Sequence, residues 1–351
     1  MTRLIIQIPA LNEADQLAET LAALPRSIAG IDEIEYLIID DGSSDSTGAI
    51  AQANGAHHVV RNKKTLGLAA TFQVGLEACL KLGADIIVNT DADNQYRGSD
   101  IETLIRPILI NKADIVIGDR QLKKTKQFAP MKTWFQIFGS SIVSSLSGTK
   151  VPDAVSGFRA ISSSAAVRLK ILSRFSYTTE MIIQAGNKNL VIQSVPVSTN
   201  TVTRPPRLYQ STTGFVLRQA VTILRMYAMY RPMRFFFSIG AVLAFIGVVP
   251  LLRFLFFFAQ GEGGGHVQSL VLGSAFLILG ATFAIAGLLA DLVSQNRKIL
   301  EETLERARRE DLAAKATQPE NPDSDSQAAA IPTSQRTAAK GLDAGKSAVR
   351  R

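Results

Sequence analysis

Two aspartates and a glutamine that follow an apolar run could hold a divalent metal ion. The run Ile86-Ile87-Val88 is typical of a buried parallel strand, and Asp91, Asp93 and Gln95 come shortly after it. Their oxygens suit Mg²⁺ or Mn²⁺, which keep waters and take further ligands from substrate phosphates. If the backbone turns between the aspartates, one can reach the ion while the other receives a sugar or ribose hydroxyl. The alternative is that this segment merely forms a turn.

A second pair of acids, Asp40 and Asp41, ends the apolar run 36–39 and precedes a glycine turn. Ligands of open α/β sheets bind at the carboxyl ends of strands, so these acids predict a pocket for ribose and base. Helix capping would explain the later Ser and Asp of this segment, but not both leading aspartates. After the first strand, Asn12 is a candidate N-cap and Glu13 complements the helix dipole.

Strand-like apolar runs alternate with helical patterns five times, and polar residues cluster after the strands. This alternation predicts a mostly parallel, doubly wound α/β layer with its active edge at the strand ends. The fifth strand ends at Arg120. Further on, Arg159 is either an ordinary surface charge or a bidentate clamp for phosphate oxygens. The single cysteine, Cys79, lies in a helical pattern and is expected in the core. Because there is only one cysteine, no disulfide within the chain is possible.

The second part of the chain is apolar enough to enter a membrane. The mean hydropathy is +0.15, and the spans 235–258 and 269–293 are each long enough to cross a bilayer. The linker 259–266 has no Lys or Arg, whereas both outer flanks are basic, so both ends are expected in the cytosol. Arg253 interrupts the first span and would snorkel outward or face a neighbouring subunit. A buried soluble hairpin is the alternative, which the length and apolarity of the spans disfavour.

A basic amphipathic stretch precedes the first span, and a polar tail follows the second. Arg218, Arg225, Arg231 and Arg234 are interspersed with apolar residues, which is typical of a helix at headgroup level. The tail from about residue 313 has the composition of a disordered segment. The formal net charge is +8, yet no nucleic-acid motif accompanies it. The chain therefore divides into an α/β domain, interfacial helices, two transmembrane helices, and a basic helix with a disordered tail: 1–212, 213–234, 235–293 and 294–351.

Five short motifs occur in one order between residues 3 and 210. They are Pro9-Ala10-x-Asn12-Glu13, Asp40-Asp41-Gly42-Ser43-Ser44-Asp45, Asp91-x-Asp93-x-Gln95, Gly118-x-Arg120 and Ser156-Gly157-Phe158-Arg159. The set resembles the family 2 glycosyltransferases with the GT-A fold, most nearly the dolichyl- and polyprenyl-phosphate sugar synthases. The resemblance implies inverting, metal-dependent transfer of a hexose or N-acetylhexosamine from a UDP- or GDP-sugar to polyprenyl phosphate. Such an enzyme would act at the cytosolic face of the cell inner membrane, as a multi-pass protein.

The resemblance also implies roles for individual residues. The residues expected to contact the nucleotide sugar are Pro9, Asn12, Glu13, Asp40, Asp41, Asp91, Arg204 and Arg207. The residues expected to serve the metal are Asp91, Asp93 and Gln95. The residues expected to act in catalysis are Asp93, Arg120 and Arg159, with the arginines meeting the acceptor phosphate or the donor. The basic segment 204–207 matches the family pattern only in part.

The chemistry of the acceptor separates the remaining alternatives. A lipid phosphate is already an anionic nucleophile, so arginines that position it would suffice, whereas a hydroxyl acceptor needs a base such as Asp153. A processive polysaccharide synthase would carry Gln-x-x-Arg-Trp, but the only tryptophan, Trp134, follows Lys132-Thr133. A membrane-tethered binding protein would keep the acids and lose the acceptor arginines. A homo-oligomer is compatible with each of these functions.

Overall fold

The computed structural model describes residues 1–121, 130–171, 177–200 and 212–317. Within its helices the described side chains exclude 130–138, 212–219, 312–313 and 315–317. All contacts discussed below lie within the unit Met1–Arg309.

Strands and helices alternate along the first part of the described chain, and long helices follow. The strands are β1 (Arg3–Ala10), β2 (Glu33–Asp40), β3 (His58–Arg61), β4 (Ile86–Asn89), β5 (Ile115–Asp119), β6 (Arg159–Ser162) and β7 (Ile192–Pro196). The first helices are α1 (Ala14–Ala22), α2 (Thr47–Ala53), α3 (Leu68–Lys81), α4 (Ile101–Leu109), α5 (Pro130–Ser147), α6 (Ser163–Arg168) and α7 (Tyr177–Asn187). The last three are α8 (Thr212–Tyr230), α9 (Pro232–Ala259) and α10 (Val267–Thr317).

The strands form one sheet in the order β3-β2-β1-β4-β6-β5-β7. All neighbouring strands are parallel except for the pairs that β6 makes with β4 and β5. The prediction of a mostly parallel α/β sheet is therefore confirmed. The sequence patterns did not reveal β6, because it has only four residues and begins with an arginine.

Apolar residues cover both faces of the sheet, as expected for parallel strands between two helix layers. On one face Leu4 and Ile6 pack with Leu17 and Leu21 of α1, and on the other Cys79 of α3 lies in a second apolar cluster. All five side chains are fully buried. The core position predicted for the cysteine is thus confirmed.

Helices α9 and α10 are long and apolar enough to cross a membrane, with 18-residue windows of mean hydropathy 2.5 and 2.2. They contain the predicted spans 235–258 and 269–293. The two helices meet through glycines: a Cβ on Gly240 would lie 2.8 Å from the Gly280 carbonyl oxygen, and one on Gly247 would lie 2.8 Å from that of Gly273. Small residues allow such close approach of helix backbones in a lipid environment.

Replacing Gly280 with leucine should separate the two helices. A Cβ at this position would lie 2.8 Å from the Gly240 carbonyl oxygen and 3.1 Å from the Ala244 backbone nitrogen. Overpacking of this kind costs about 2 kcal/mol, and we expect a lower thermal midpoint for the detergent-solubilised protein. Gly264→Leu is the matched control, because a Cβ there meets nothing within 4 Å. Equal midpoints for the two variants would contradict the close helix contact.

Candidate active site

The predicted site residues gather at one edge of the sheet. Strands β1, β2 and β4 are parallel and end at Ala10, Asp40 and Asn89. Strand β5 points the same way, because both β4 and β5 are antiparallel to β6. We call this the carboxyl edge. It brings together the acids of the first three motifs and Arg120, which directly follows β5.

At the end of β2, the two leading aspartates of the second motif are buried and hold loops. Oδ1 of Asp40 accepts a hydrogen bond from the Ser43 backbone nitrogen at 2.8 Å, and its Oδ2 lies 3.3 Å from Nε of Arg61. Asp41 accepts three hydrogen bonds from the loop 62–67, whose donors are the Asn62 side chain and the backbone nitrogens of Leu66 and Gly67, at 2.9, 2.8 and 2.9 Å. The pair therefore shapes the walls of the predicted nucleotide pocket.

Gly42 allows the two nucleotide-side loops to meet. Its φ is +74°, and a Cβ there would lie 2.9 Å from the Lys64 carbonyl carbon. A residue with a side chain would thus face both an unfavourable backbone conformation and a steric clash. The glycine of the second motif is explained by this packing.

Asn12 does not cap the helix that follows it, so that prediction is wrong. Helix α1 begins at Ala14, and Glu13 occupies the cap position without a capping side-chain hydrogen bond. Asn12 has a left-handed φ of 55°; its backbone nitrogen donates to Oγ of Ser43 at 3.0 Å, and its Oδ1 accepts from the Ser44 backbone nitrogen at 2.9 Å. It links the exits of β1 and β2. Pro9 lies buried in β1, paired with Ile39.

The central acids lie in a turn that the end of the sheet supports. Asn94 has φ 52°, and Oδ1 of Asp93 accepts from the Gln95 backbone nitrogen at 3.2 Å. Asn200, beyond β7, donates through Nδ2 to the Asn94 carbonyl and through its backbone nitrogen to the Gln95 carbonyl, both at 2.9 Å. The segment is thus a turn, and this turn brings the two aspartates close together while Asp93 stays exposed.

Asp91 carries a perturbed carboxyl group. Burial and the neighbouring charge of Asp93 raise the pKa of Asp91 to about 7, although Arg120 and Arg159 oppose the shift. A bound divalent cation would favour the charged form of Asp91, because its positive charge would offset both the burial and the repulsion by Asp93. Among the described residues, no group of three His, Cys, Asp or Glu side chains could hold a metal. Two carboxylates plus Gln95 nevertheless fit Mg²⁺ or Mn²⁺, which take remaining ligands from waters and substrate phosphates.

Gly157 lies against the carboxylate of Asp91. A Cβ on Gly157 would be 2.9 and 3.0 Å from the two Asp91 oxygens. The Gly157 carbonyl accepts from Nδ2 of Asn89 at 2.8 Å and from the Tyr177 hydroxyl at 3.3 Å, while its nitrogen donates to the Tyr96 hydroxyl at 3.2 Å. These hydrogen bonds hold the backbone beside the carboxylate.

A buried polar network supports this arrangement from inside the sheet. Nε2 of Gln7, in β1, donates to Oδ1 of Asn89, in β4, at 3.0 Å, and Nδ2 of Asn89 donates to the Tyr177 hydroxyl at 2.9 Å. The Tyr177 ring stacks on Phe72, with centroids 3.9 Å apart. Gln7, Asn89 and Tyr177 were not among the site residues predicted from the sequence. The available signal was an amide within each of two otherwise apolar strands, since buried polar groups require partners.

Arg120 and Asp153 form a bidentate ion pair. Nε and Nη2 of the arginine lie 2.7 and 3.0 Å from the two carboxylate oxygens, and only 10% of the Arg120 side chain and 0% of the Asp153 side chain are exposed. Burial alone would lower the pKa of Arg120, but Tyr96 and Asp153 raise it above its ordinary value. The guanidinium therefore stays charged close to Asp91.

Arg159 is fully buried, which matches neither a surface charge nor a phosphate clamp. Its Nε donates to the Ser156 carbonyl at 2.8 Å, its Nη1 to that of Thr178 at 2.7 Å, and its Nη2 to that of Ala154 at 2.9 Å. In this position the side chain joins the segment 154–156 to α7, and so supports Gly157. The remaining predicted arginines, Arg204 and Arg207, and the basic residues of 122–129 lie outside the described residues.

Comparison with known proteins agrees with this geometry. The model of the family "Glycosyl transferase family 2" matches residues 5–169. The UDP-N-acetylglucosamine--dolichyl-phosphate N-acetylglucosaminyltransferase of Methanococcus voltae is 33% identical over 217 residues, which are 55% of this chain and 83% of that protein. The undecaprenyl-phosphate mannosyltransferase of Micrococcus luteus is 28% identical over 164 residues, covering 45% of this chain and 65% of that protein.

Among solved structures, the fold resembles glucosyl-3-phosphoglycerate synthase from Mycobacterium tuberculosis, crystallised with Mn²⁺, UDP and glucosyl-3-phosphoglycerate. The TM-score is 0.50 at 19% identity, covering 65% of this chain and 80% of that chain. This likeness concerns the fold alone. The Methanococcus voltae enzyme is 33% identical to this chain, and the alignment covers 83% of that enzyme. Together with the family model, this similarity shows that the chain belongs to glycosyl transferase family 2 and is a glycosyltransferase with a GT-A-type fold.

Proposed function

We propose that the protein transfers a hexose or N-acetylhexosamine, with inversion, from a UDP- or GDP-sugar to a polyprenyl phosphate at the cytosolic face of the inner membrane. The observation that carries this proposal is the single chain that joins the acidic carboxyl edge to two apolar helices long enough to cross a bilayer. Two relatives are named for the lipid phosphates dolichyl phosphate and undecaprenyl phosphate. The domain limits 1–212, 213–234, 235–293 and 294–351, and cytosolic termini, are part of the same proposal.

The donor would lie along the carboxyl edge. Residues of the first two motifs would surround the nucleoside, and Asp91, Asp93 and Gln95 would hold a divalent ion at the diphosphate. When bound, Mg²⁺ or Mn²⁺ would stabilise the negative charge that develops on the departing nucleotide. The exposed carboxylate of Asp93 lies at the open side of the turn, where it can face the donor.

The ion pair of Arg120 supports a phosphate acceptor. Asp153, the candidate base for a hydroxyl acceptor, is buried and bound through both oxygens to the arginine, so it is poorly placed to take a proton from a substrate. A phosphate oxygen needs no such base, because it is already a nucleophile. The charge of Arg120 beside Asp91 would help to position an anionic acceptor against the sugar. Transfer to a hydroxyl of a lipid-linked sugar is the second candidate.

Membranes that contain the protein, given Mg²⁺ or Mn²⁺ and radiolabelled UDP- and GDP-sugars, should place label in the organic phase. Asp93→Ala should remove this label, and Asp15→Ala, an exposed acid in the first turn of α1, should retain it. Label confined to water-soluble or protein material would favour a hydroxyl acceptor. No label with any donor would favour a protein that binds nucleotide sugars without turnover. The anomeric configuration of the lipid product, measured by NMR, tests inversion.

A further inference from the structure

Helix α10 continues without a break from its apolar part onto the catalytic domain. Three ion pairs connect its later turns to other helices. They are Glu301–Lys188 at 3.3 Å, Glu305–Arg168 at 3.4 Å and Arg308–Glu77 at 3.1 Å, which we call the charge ladder. Nη1 of Arg308 also donates to the carbonyl oxygens of Val167 and Leu169, at 3.4 and 3.3 Å. The later turns of the helix that leaves the apolar hairpin are therefore attached to α3, to α6 and to the residue just past the end of α7.

A second set of contacts fixes α10 just after its apolar part. The guanidinium of Arg297 lies 4.3 Å from the centroid of the Tyr230 ring, and Oγ of Ser294 donates to the Met229 carbonyl at 3.2 Å. Tyr230 is the last residue of α8 and comes just before the apolar helix α9. Two segments connect the apolar hairpin to the catalytic domain, the end of α8 and the later part of α10. They contact each other next to the hairpin.

The order of these contacts along α10 indicates which edge of the sheet lies nearer the apolar hairpin. Near the apolar part, the Tyr230 ring that Arg297 contacts packs against the apolar cluster that includes Met181, just after the first turn of α7. That turn contains Tyr177, whose hydroxyl contacts Gly157 at the carboxyl edge. Farther from the apolar part, α10 meets Lys188, just past the end of α7, where the chain leads back to the start of β7.

The contact with α3 indicates the same orientation of the sheet relative to α10. Helix α3 begins next to Gly67, whose nitrogen donates to Asp41 at the carboxyl edge, and it ends before the start of β4. Glu77 lies in the later part of α3 and pairs with Arg308, which forms the last ion pair of the charge ladder along α10. From Ser294 to Arg308 the helix advances about 21 Å. As α10 leaves the hairpin, it passes first the carboxyl edge and then the opposite edge of the sheet.

Helix α8 provides an independent marker of the lipid surface. Val221 and Leu224 are 59% and 55% exposed, and the exposed Arg225 shares their face, at the spacing of neighbouring helix turns. Apolar side chains beside an arginine suit the boundary between headgroups and acyl chains. This face occurs on α8, the helix that ends at Tyr230 just before the apolar hairpin.

We infer that the carboxyl edge is an interaction surface for the phospholipid bilayer, and that the charge ladder holds it there so that a lipid phosphate reaches the site. This inference rests on the proposed function, because it assigns the acceptor to the membrane. It predicts that weakening the ladder impairs use of an acceptor embedded in a bilayer and spares an acceptor that diffuses in detergent.

The experiment uses the full chain and the donor found in the labelling assay. Reconstituted protein is compared in vesicles of phosphatidylglycerol and phosphatidylethanolamine that carry undecaprenyl phosphate, and in detergent with farnesyl phosphate. Arg308→Glu places like charges opposite Glu77 and removes both carbonyl contacts. We expect it to raise the acceptor KM in vesicles about tenfold, with less than about a twofold change for farnesyl phosphate and for the donor KM.

Three further variants make the result specific. Glu77→Arg combined with Arg308→Glu restores an ion pair with exchanged charges and should recover most of the vesicle activity. Arg306→Glu makes the same change of charge at an exposed position of the same helix, and should behave like the wild type. Glu301→Lys, opposite Lys188, is an independent disruption of the ladder and should repeat the effect of Arg308→Glu.

The outcomes separate this inference from the function on which it rests. Wild-type protein that glycosylates neither lipid phosphate would overturn the proposed function. If the wild type is active and Arg308→Glu and Arg306→Glu have equal acceptor KM values in vesicles, the inferred role of the charge ladder is overturned. The proposed function would stand. Equal losses in vesicles and in detergent would also overturn the role of the charge ladder, because they would indicate damage to the catalytic domain and not to its placement.

Discussion

Replacing Gly157 with alanine should greatly slow sugar transfer and leave the fold intact. The new Cβ would lie 2.9 and 3.0 Å from the oxygens of Asp91 and 3.2 Å from the Tyr177 hydroxyl. All three distances are shorter than an ordinary van der Waals contact. The backbone at Gly157 is not left-handed, so alanine adds no backbone strain and acts mainly on the carboxylate. A shift of that group by a few tenths of an ångström or more displaces the acid from the metal and donor. We expect the rate of transfer to fall about a hundredfold.

The measurement is the lipid-labelling rate together with the thermal midpoint of the purified protein. Gly139→Ala is the matched control, since a Cβ at that helical position meets nothing within 4 Å. Binding of Mn²⁺, followed by electron paramagnetic resonance, should weaken in Gly157→Ala and not in the control. Full activity in Gly157→Ala would mean that Asp91 moves without consequence, and would remove it from the proposed metal site.

Replacing Arg120 with alanine should cost both stability and activity. It leaves the carboxylate of Asp153, which is 0% exposed, buried without its bidentate partner. Removing one member of a buried ion pair lowers the free energy of unfolding by about 3–5 kcal/mol. The same change removes the positive charge beside Asp91 that we assign to the acceptor phosphate. Unfolding in urea and the lipid-labelling rate measure the two effects.

A double replacement separates the two roles of this ion pair. Arg120→Met with Asp153→Leu exchanges the pair for apolar residues of similar volume, which is often neutral or stabilising. We expect the double variant to recover stability but not transfer. Recovery of transfer would show that neither side chain acts on substrate. A double variant that loses activity only with a hydroxyl acceptor, and keeps it with lipid phosphate, would instead support Asp153 as a base.

The sequence predicted the features that depend on local patterns. Apolar runs that end in acids indicate strands with a ligand edge, and the structure places Asp40, Asp91 and Arg120 at that edge. The two apolar spans and the buried Cys79 follow equally from composition and periodicity. These features could be read because each depends on neighbours a few positions away in the chain.

Features that depend on distant partners were missed or misassigned. Asn12 has the residue type of a helix cap, but its partners Ser43 and Ser44 lie about thirty positions away. Arg159 has the motif of a phosphate ligand, yet three carbonyls from two segments converge on it. Sequence patterns contain no record of such convergence. Strand β6 was missed as well, since its four residues form a strand by pairing between β4 and β5 in the sheet.

The three hydrogen bonds that Asp41 accepts from the loop 62–67 also bear on the entropy of donor binding. A loop that becomes ordered only when ligand arrives gives up about 1–2 kcal/mol of backbone entropy for each residue it fixes. Here an internal carboxylate, joined to Asn62, Leu66 and Gly67, holds the loop in place through the protein's own hydrogen bonds. In the proposed donor site, the nucleotide would therefore meet a wall that internal contacts form, and more of its contact energy would remain as affinity.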